Sequence, residues 1–189
     1  MRIISGKLKG TSLYNSKDKS TRPLKDMVRE SIFNLLTHSN KISFEFKNSK
    51  VLDIYAGTGS FGLECISRQA KSVFCIEKDK SAVEVLKKNI QKLKVKDKTK
   101  IFLSDVYDII ENKNFLENKF DLIFCDPPFK SSDIDILIKS IFDKKILREN
   151  GIIILHRNKN TLEKLPNCLQ IIETRKYGLS KIFFGKFLL

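Results

Sequence analysis

The chain has 189 residues, which suits one domain with a small addition and allows a real core. Hydrophobic residues make up 41% and charged residues 31%, and no apolar run approaches the length of a membrane span, so a helix crossing a bilayer is excluded. Lys and Arg number 36 against 22 Asp and Glu, a formal charge of +14 that points to a polyanionic partner, nucleic acid first.

Abundant Lys, Asn and Ile also fit an AT-biased genome, so the distribution of charge says more than its total. Between Met1 and Glu30 stand Arg2, Lys7, Lys9, Lys17, Lys19, Arg22, Lys25 and Arg29, against Asp18, Asp26 and Glu30. The opening Met1-Arg-Ile-Ile-Ser-Gly6 lacks the long apolar region of a secretion signal, which makes the cytoplasm the expected location. Cys65, Cys75, Cys125 and Cys168 show no C-x-x-C spacing. They are expected as reduced, mostly buried thiols, with no metal site.

Arg2 to Tyr14 suggests a hairpin around the Gly- and Lys-rich turn Gly6–Gly10. A helix starts near Pro23, with Leu24, Val28, Ile32, Leu35 and Leu36 on one apolar stripe. Lys25 and Arg29, four apart, share another face, which is either solvated or turned to phosphate. From Val51 onward strands and helices alternate, the pattern of an α/β fold with a parallel sheet. Strands are expected at Val51–Tyr55, Val73–Glu77, Lys100–Ser104, Phe120–Asp126 and Gly151–Leu155, with helices at Ser60–Arg68, Ser81–Leu93 and Ile134–Phe142. Leu169–Arg175 and Ile182–Leu188 read as a terminal antiparallel pair joined around Gly178.

The first strand runs into Ala56-Gly57-Thr58-Gly59 and then a helix that Ser60 can cap. Glycines there let backbone approach a ligand closely, and the helix start favours an anionic group. Gly57, Gly59 and Gly62 satisfy the dinucleotide pattern G-x-G-x-x-G, with Glu77 at the ribose position. An NAD-dependent oxidoreductase is therefore one reading. Asp53 favours another: a carboxylate facing this pocket repels a pyrophosphate but suits the ammonium and sulfonium of S-adenosylmethionine. Its bland alternative is a turn cap. Asp53, Glu77, Asp105 and Asp126 stand at or near four successive strand ends, where ligands of parallel sheets bind. Glu77 is placed for ribose hydroxyls and Asp105 for an adenine amino group, though either could cap a helix.

Asp126-Pro127-Pro128-Phe129 is the second chemical motif. Two prolines fix the backbone and remove two N–H donors. The acceptors that remain, the Asp126 carboxylate and the Asp126 and Pro127 carbonyls, suit a planar amino group, and Phe129 offers a face for a base. A plain turn could use the same residues, but the motif gains force beside the Asp53 loop.

With these motifs the chain resembles a known family. Asp53 to Gly59 is similar to motif I of class I S-adenosylmethionine-dependent methyltransferases, and Asp126 to Phe129 to the D/N-P-P-Y/F motif of those that methylate exocyclic amino nitrogens. Arg2 to Gly10, Arg22 to Leu36, Val51 to Ala70 and Lys176 to Ile182 resemble the RsmD family of bacterial 16S ribosomal RNA guanine-N2 methyltransferases. Departures are Gln69 for a usual glycine, Phe129 for a usual tyrosine, and His156, where an acid is common and a surface role is expected.

The resemblance implies a Rossmann-like class I fold with a mostly parallel seven-stranded sheet, an antiparallel last strand and helices on both faces. Residues 1–40 would form a hairpin-and-helix extension and residues 41–189 the core of a single domain. It implies S-adenosylmethionine as cofactor, held by Asp53, Ala56, Gly57, Thr58, Gly59, Glu77, Lys78, Asp105, Val106 and Asp126. Asp126, Pro127, Pro128 and Phe129 would act on the target. Arg2, Lys7, Lys9, Arg22, Lys25 and Arg29 would contact RNA. The expected target is a guanine N2 in 16S ribosomal RNA within small-subunit particles, acted on by a monomer. The alternatives are an RNA or DNA methyltransferase acting on adenine N6 or cytosine N4, an NAD-dependent oxidoreductase, and a non-enzymatic RNA-binding module.

Overall fold

The computed structural model describes residues 1–16, 26–128, 131, 133–161 and 164–188. Seven strands form one sheet: β1 (Lys50–Ile54), β2 (Ser72–Glu77), β3 (Thr99–Leu103), β4 (Phe120–Cys125), β5 (Leu147–Asn158), β6 (Leu169–Tyr177) and β7 (Ser180–Phe187). Their order is β3-β2-β1-β4-β5-β7-β6. The first five run parallel, and β7 is antiparallel to both β5 and β6. The chain order reverses at β1, between β2 and β4, which is where an open sheet of this kind leaves a crevice for a ligand.

Alternation along the strands sorts the core into two layers. Val51, Val73, Leu122, Phe124, Ile152, Ile154, Ile182 and Phe184 point to one side. There they meet α1 (Asp26–His38), α2 (Ser60–Ser67) and α3 (Lys80–Leu93). Leu52, Ile54, Phe74, Ile76, Ile123, Ile153 and Leu155 point to the other. There they meet α4 (Val106–Glu111), α5 (Lys113–Leu116) and α6 (Ile134–Asp143). On the first side three rings stack in series: Phe33 lies 5.0 Å from Phe61, and Phe61 lies 3.9 Å from Phe124. The series locks α1 onto α2 and α2 onto β4.

The expected elements differ from these mainly at their ends. The short helices α4 and α5 were not expected, because neither is long enough to show a periodic pattern. β5 runs three residues past Leu155 because β7 pairs with it as far as Asn158 opposite Ser180. The expected N-terminal hairpin is short: Arg2 bridges Ser12 antiparallel, Ile3 N–H donates to the Thr11 carbonyl, Gly10 N–H to the Ile3 carbonyl and Leu13 N–H to the Met1 carbonyl, each at 2.9 Å.

The N-terminal segment also gives backbone groups to α2. Glu64 is fully buried, and its two oxygens accept N–H groups from Ile4 at 2.7 Å and Ser5 at 2.9 Å. Its Oε1 also takes Arg68 Nε at 2.9 Å. At the end of α2, Lys7 N–H donates to the Ser67 carbonyl at 2.8 Å and Leu8 N–H to the Ser67 hydroxyl at 3.0 Å. Glu64→Ala leaves two peptide N–H groups and a guanidinium without their acceptor. A loss of about 2–4 kcal/mol of unfolding free energy is expected in denaturant titrations; a loss under ~0.5 kcal/mol would show that the segment is held elsewhere.

Candidate active site

The parallel register builds the site. Ile54 is level with Ile76 and with Cys125, and Cys125 is level with Leu155. The next residue along each strand is therefore Tyr55, Glu77, Asp126 and His156, which form one row across the carboxyl ends. Tyr55 turns the chain out of β1 with φ +61°, a left-handed conformation rare for a bulky residue and found mostly at functional turns.

The glycine loop is held from three directions. Glu77 Oε2 accepts the Gly57 N–H at 2.7 Å, and Oε1 accepts the Asp79 N–H at 2.9 Å. Asn89, fully buried on α3, donates to the Thr58 carbonyl at 3.0 Å while pairing with both peptide groups of Tyr14. Ala56 N–H donates to the Ile76 carbonyl at 3.0 Å. Gly59 has φ +83°, and a Cβ there would stand 2.2 Å from Leu86 Cδ1. Gly57 has φ +55°, and a Cβ there would meet nothing within 4 Å. The loop is packed tight beneath Gly59 and open above Gly57, as a backbone cradle for a ligand must be.

Asp53 does not face that opening. It lies on the α2 side of β1, only 1% exposed, and its Oδ2 accepts the Gly62 N–H at 2.9 Å. The turn-cap reading is the one realised. Ser60 is not the cap of α2; Gly59 holds that position and makes no side-chain bond. Asp53 reaches across from the strand to serve the helix start, and Gly62 has no side chain because Val73 and Asp53 fill its place. Burial, reinforced by Asp126 and Glu77, pushes the Asp53 carboxyl up to about 8, against the pull of the Gly62 N–H.

Asp105 also caps a helix: its Oδ1 accepts the Tyr107 N–H at 3.2 Å at the start of α4, and Lys78 pairs with its Oδ2 at 3.2 Å. Val106 is buried directly after it. Tyr107 donates its hydroxyl to the Asp133 carbonyl at 3.0 Å, which ties the start of α4 to the start of α6. Burial pushes the Tyr107 hydroxyl up to about 12, so it stays protonated.

Asp126 closes the row. Its Oδ1 lies 2.7 Å from His156 Nδ1, and His156 Nε2 lies 2.9 Å from Ser180 Oγ. His156 is thus not a surface residue; it is 6% exposed, and its bond to Asp126 was missed because the strand appeared to end at Leu155. The next residue, Arg157, is 1% exposed and points to the opposite face. It donates to the Pro128 carbonyl at 3.2 Å and the Ser131 carbonyl at 2.7 Å. Consecutive residues of β5 therefore hold both ends of the Asp-Pro-Pro turn. Pro127 is buried and Pro128 exposed. Phe129 lies outside the described residues, as do Arg22 and Lys25.

Of the basic residues expected on RNA, Arg2, Lys7 and Lys9 are exposed. Arg29 is not: it is fully buried and bonded to the Arg2 carbonyl and to Asp26. Burial lowers its pKa, opposed by Asp26 and Glu64. Its place is in the clasp between the N-terminal segment and α1, because Ile32, Phe33 and Arg29 share the inward side of that helix. All four cysteines are free thiols, three of them buried. No group of metal-ligating residues occurs among the described residues, and no described helix is long and apolar enough to cross a membrane.

The Asp53 geometry gives a pH test. Folding raises its proton affinity, from a usual 3.8 to about 8. The unfolded chain then binds fewer protons across that window, so stability falls as pH rises from about 4 to 8. Asp53→Asn keeps an acceptor for Gly62 and removes the ionisation. Its melting temperature is expected to depend less on pH in that window and to gain on the parent toward pH 8. Parallel melting curves would contradict the assignment.

Comparison with known proteins bears on the family and the fold. The family model described as Conserved hypothetical protein 95 matches residues 1–186. Bacillus subtilis YlbH is 32% identical over 189 residues, 98% of either chain. A Haemophilus influenzae protein named ribosomal RNA small subunit methyltransferase D is 30% identical over 180 residues, covering 95% of this chain and 90% of that one. The solved structure of Escherichia coli yhhF superposes with a TM-score of 0.83 at 26% identity, covering 99% and 97%. Family match, strand order and a glycine cradle open to a ligand converge: the chain belongs to the RsmD family and is an S-adenosylmethionine-dependent methyltransferase of the class I fold.

Proposed function

We propose that the protein methylates the exocyclic N2 amino group of a guanine in 16S ribosomal RNA of the small subunit. The observation that carries the amine chemistry is the Asp126-Pro127-Pro128 turn. It is fixed at the β4 end by His156 and Arg157, in the same row as Glu77 and beside the Gly57 opening. The choice of 16S RNA rests on family membership and on relatives named for the small ribosomal subunit.

The cofactor fits the residues present. Gly57 leaves space for its approach, and Glu77, holding Gly57 through one oxygen and Asp79 through the other, keeps further lone pairs for ribose hydroxyls. Ala56, Thr58 and Gly59 line the cradle, Lys78 and Asp105 form the adjoining rim, and Val106 supplies an apolar floor for a base. Asp53 acts from beneath, fixing the loop and the start of α2. When bound, S-adenosylmethionine supplies an electrophilic methyl group on a sulfonium.

The protein's remaining task is alignment and charge. A guanine amino group is a poor nucleophile because its lone pair is delocalised into the ring. The Asp126 carboxylate and the Pro127 carbonyl accept its two N–H bonds, which favours a pyramidal nitrogen with its lone pair directed at the methyl. Positive charge grows on that nitrogen, and the carboxylate stabilises it where it develops. Asp126 takes the proton after transfer and need not act as a base before it. The base must be unstacked to reach this edge. Exposed Arg2, Lys7 and Lys9, with Arg22 and Lys25, supply contacts to RNA phosphates. Adenine N6 or cytosine N4 would satisfy the same acceptors, so the amine chemistry survives a different base.

Binding and chemistry separate by mutation. Glu77→Ala is expected to weaken S-adenosylhomocysteine binding by about 1.5–3 kcal/mol in calorimetry. Asp126→Ala is expected to keep that binding and lose turnover; near-parental turnover would remove Asp126 from the mechanism. For the target, undermethylated small subunits are incubated with labelled cofactor, digested and analysed by mass spectrometry. Label in a single N2-methylguanine is expected. Label as N6-methyladenine, or in DNA only, would overturn the target.

A further inference from the structure

We propose that His156 is the residue that positions the Asp126 carboxylate for the target amine, with its far nitrogen held by Ser180. The inference rests on the amino-methylation proposed above. Its basis is a chain of three side chains from three strands: Asp126 Oδ1 to His156 Nδ1 at 2.7 Å, and His156 Nε2 to Ser180 Oγ at 2.9 Å.

The strand register explains why these groups meet. Along β5, Ile152, Ile154 and His156 alternate onto the α1–α2–α3 side, as Leu122 and Phe124 do in β4 and Ile182 and Phe184 in β7. Asp126 follows Phe124 in that alternation. His156 is level with Ile182, and Ser180 stands two residues along β7 from it. Ser180 is thus the diagonal neighbour of His156 on the same face. The Tyr177 hydroxyl, at the tip of the β6–β7 hairpin that carries Ser180, bonds Ser31 of α1 and anchors this tip over the site.

The chemistry of the groups fixes the protons. An ionised carboxylate can only accept, so Nδ1 carries the hydrogen in its contact with Asp126. A neutral imidazole has one N–H, so Nε2 accepts, and the Ser180 hydroxyl donates to it. Oδ1 of Asp126 is then committed to His156, and Oδ2 is the oxygen that takes the target N–H. The side chain of His156 is 8% exposed and that of Asp126 22%, so the ring buttresses the carboxylate from the protein side and leaves its open side to the base. Carboxylate torsions are broad when unsupported. A bond to a buried ring removes that freedom before the substrate arrives.

The experiment combines imidazole 15N spectra with kinetics. The chain has two histidines, and His38 is exposed at the end of α1, so the signals separate readily. The expected spectrum shows one histidine with Nδ1 protonated and Nε2 accepting, absent in His156→Asn and retained in Ser180→Ala, because the Asp126 carboxylate fixes the Nδ1 proton. His156→Asn keeps an N–H where Nδ1 stood and is expected to hold turnover within about threefold of the parent. His156→Leu has none and is expected to lose about 10²-fold in kcat, the scale of a misplaced catalytic group. Calorimetric binding of S-adenosylhomocysteine, unchanged in both, confirms that each variant is folded.

A His156 protonated at Nε2 with Nδ1 bare, or Asn and Leu variants with equal turnover, would overturn the assignment. A parent protein with no transfer to small subunits would refute the function proposed above. The nitrogen spectrum would still decide the His156 geometry by itself.

Discussion

Ile54 lies level with Ile76 on one side and Cys125 on the other, and Cys125 lies level with Leu155. That pairing decides what the rest of the molecule can do. Shift any strand by one residue and the groups just past its end turn to the other face. Glu77 would leave Gly57, and Asp126 would leave His156. The two apolar layers prevent the slip, because each strand here is buried on both faces and a one-residue shift would exchange them. Packing energy spread over the sheet is thereby converted into the placement of a few polar groups at its edge.

Two buried carboxylates then carry the order of the sheet into the loop and the N-terminal segment. Asp53 connects β1 to the third residue of α2, and Glu64 connects α2 to Ile4 and Ser5. Asp53 accepts a backbone N–H, and Glu64 accepts two together with the Arg68 guanidinium. They build the cradle without lining it. The exposed lysines of the N-terminal turn are therefore set against a fixed helix end.

Much of this could be read from the residues in order. Each of the seven strands was signalled by an apolar run, the glycine loop by its neighbours, and the Asp-Pro-Pro turn by its chemistry. What escaped depends on pairing between distant segments. Nothing local to Gly151–Leu155 says that β7 extends it to Asn158, so His156 reads as a surface residue. Asp53 was expected to face the ligand because its parity on β1 was not fixed until the layers were known. Arg29 shows the same limit: the spacing from Lys25 places two cations on one face, but only the packing of Ile32 and Phe33 decides which face is inward. Asn89, which holds Thr58 and Tyr14 together from the middle of α3, had no signal beyond a polar residue in an apolar stripe.

One row of strand-end residues is proposed to organise both the cofactor and the target. A crystal structure of the protein with S-adenosylhomocysteine decides whether it does. The ribose is expected on Glu77, with backbone contacts at Gly57 and the sulfur turned along the row toward Asp126, and His156 still bonded to that carboxylate. A ligand seated away from this row, or one reached only by breaking the Glu77–Gly57 and Asp126–His156 contacts, would contradict it.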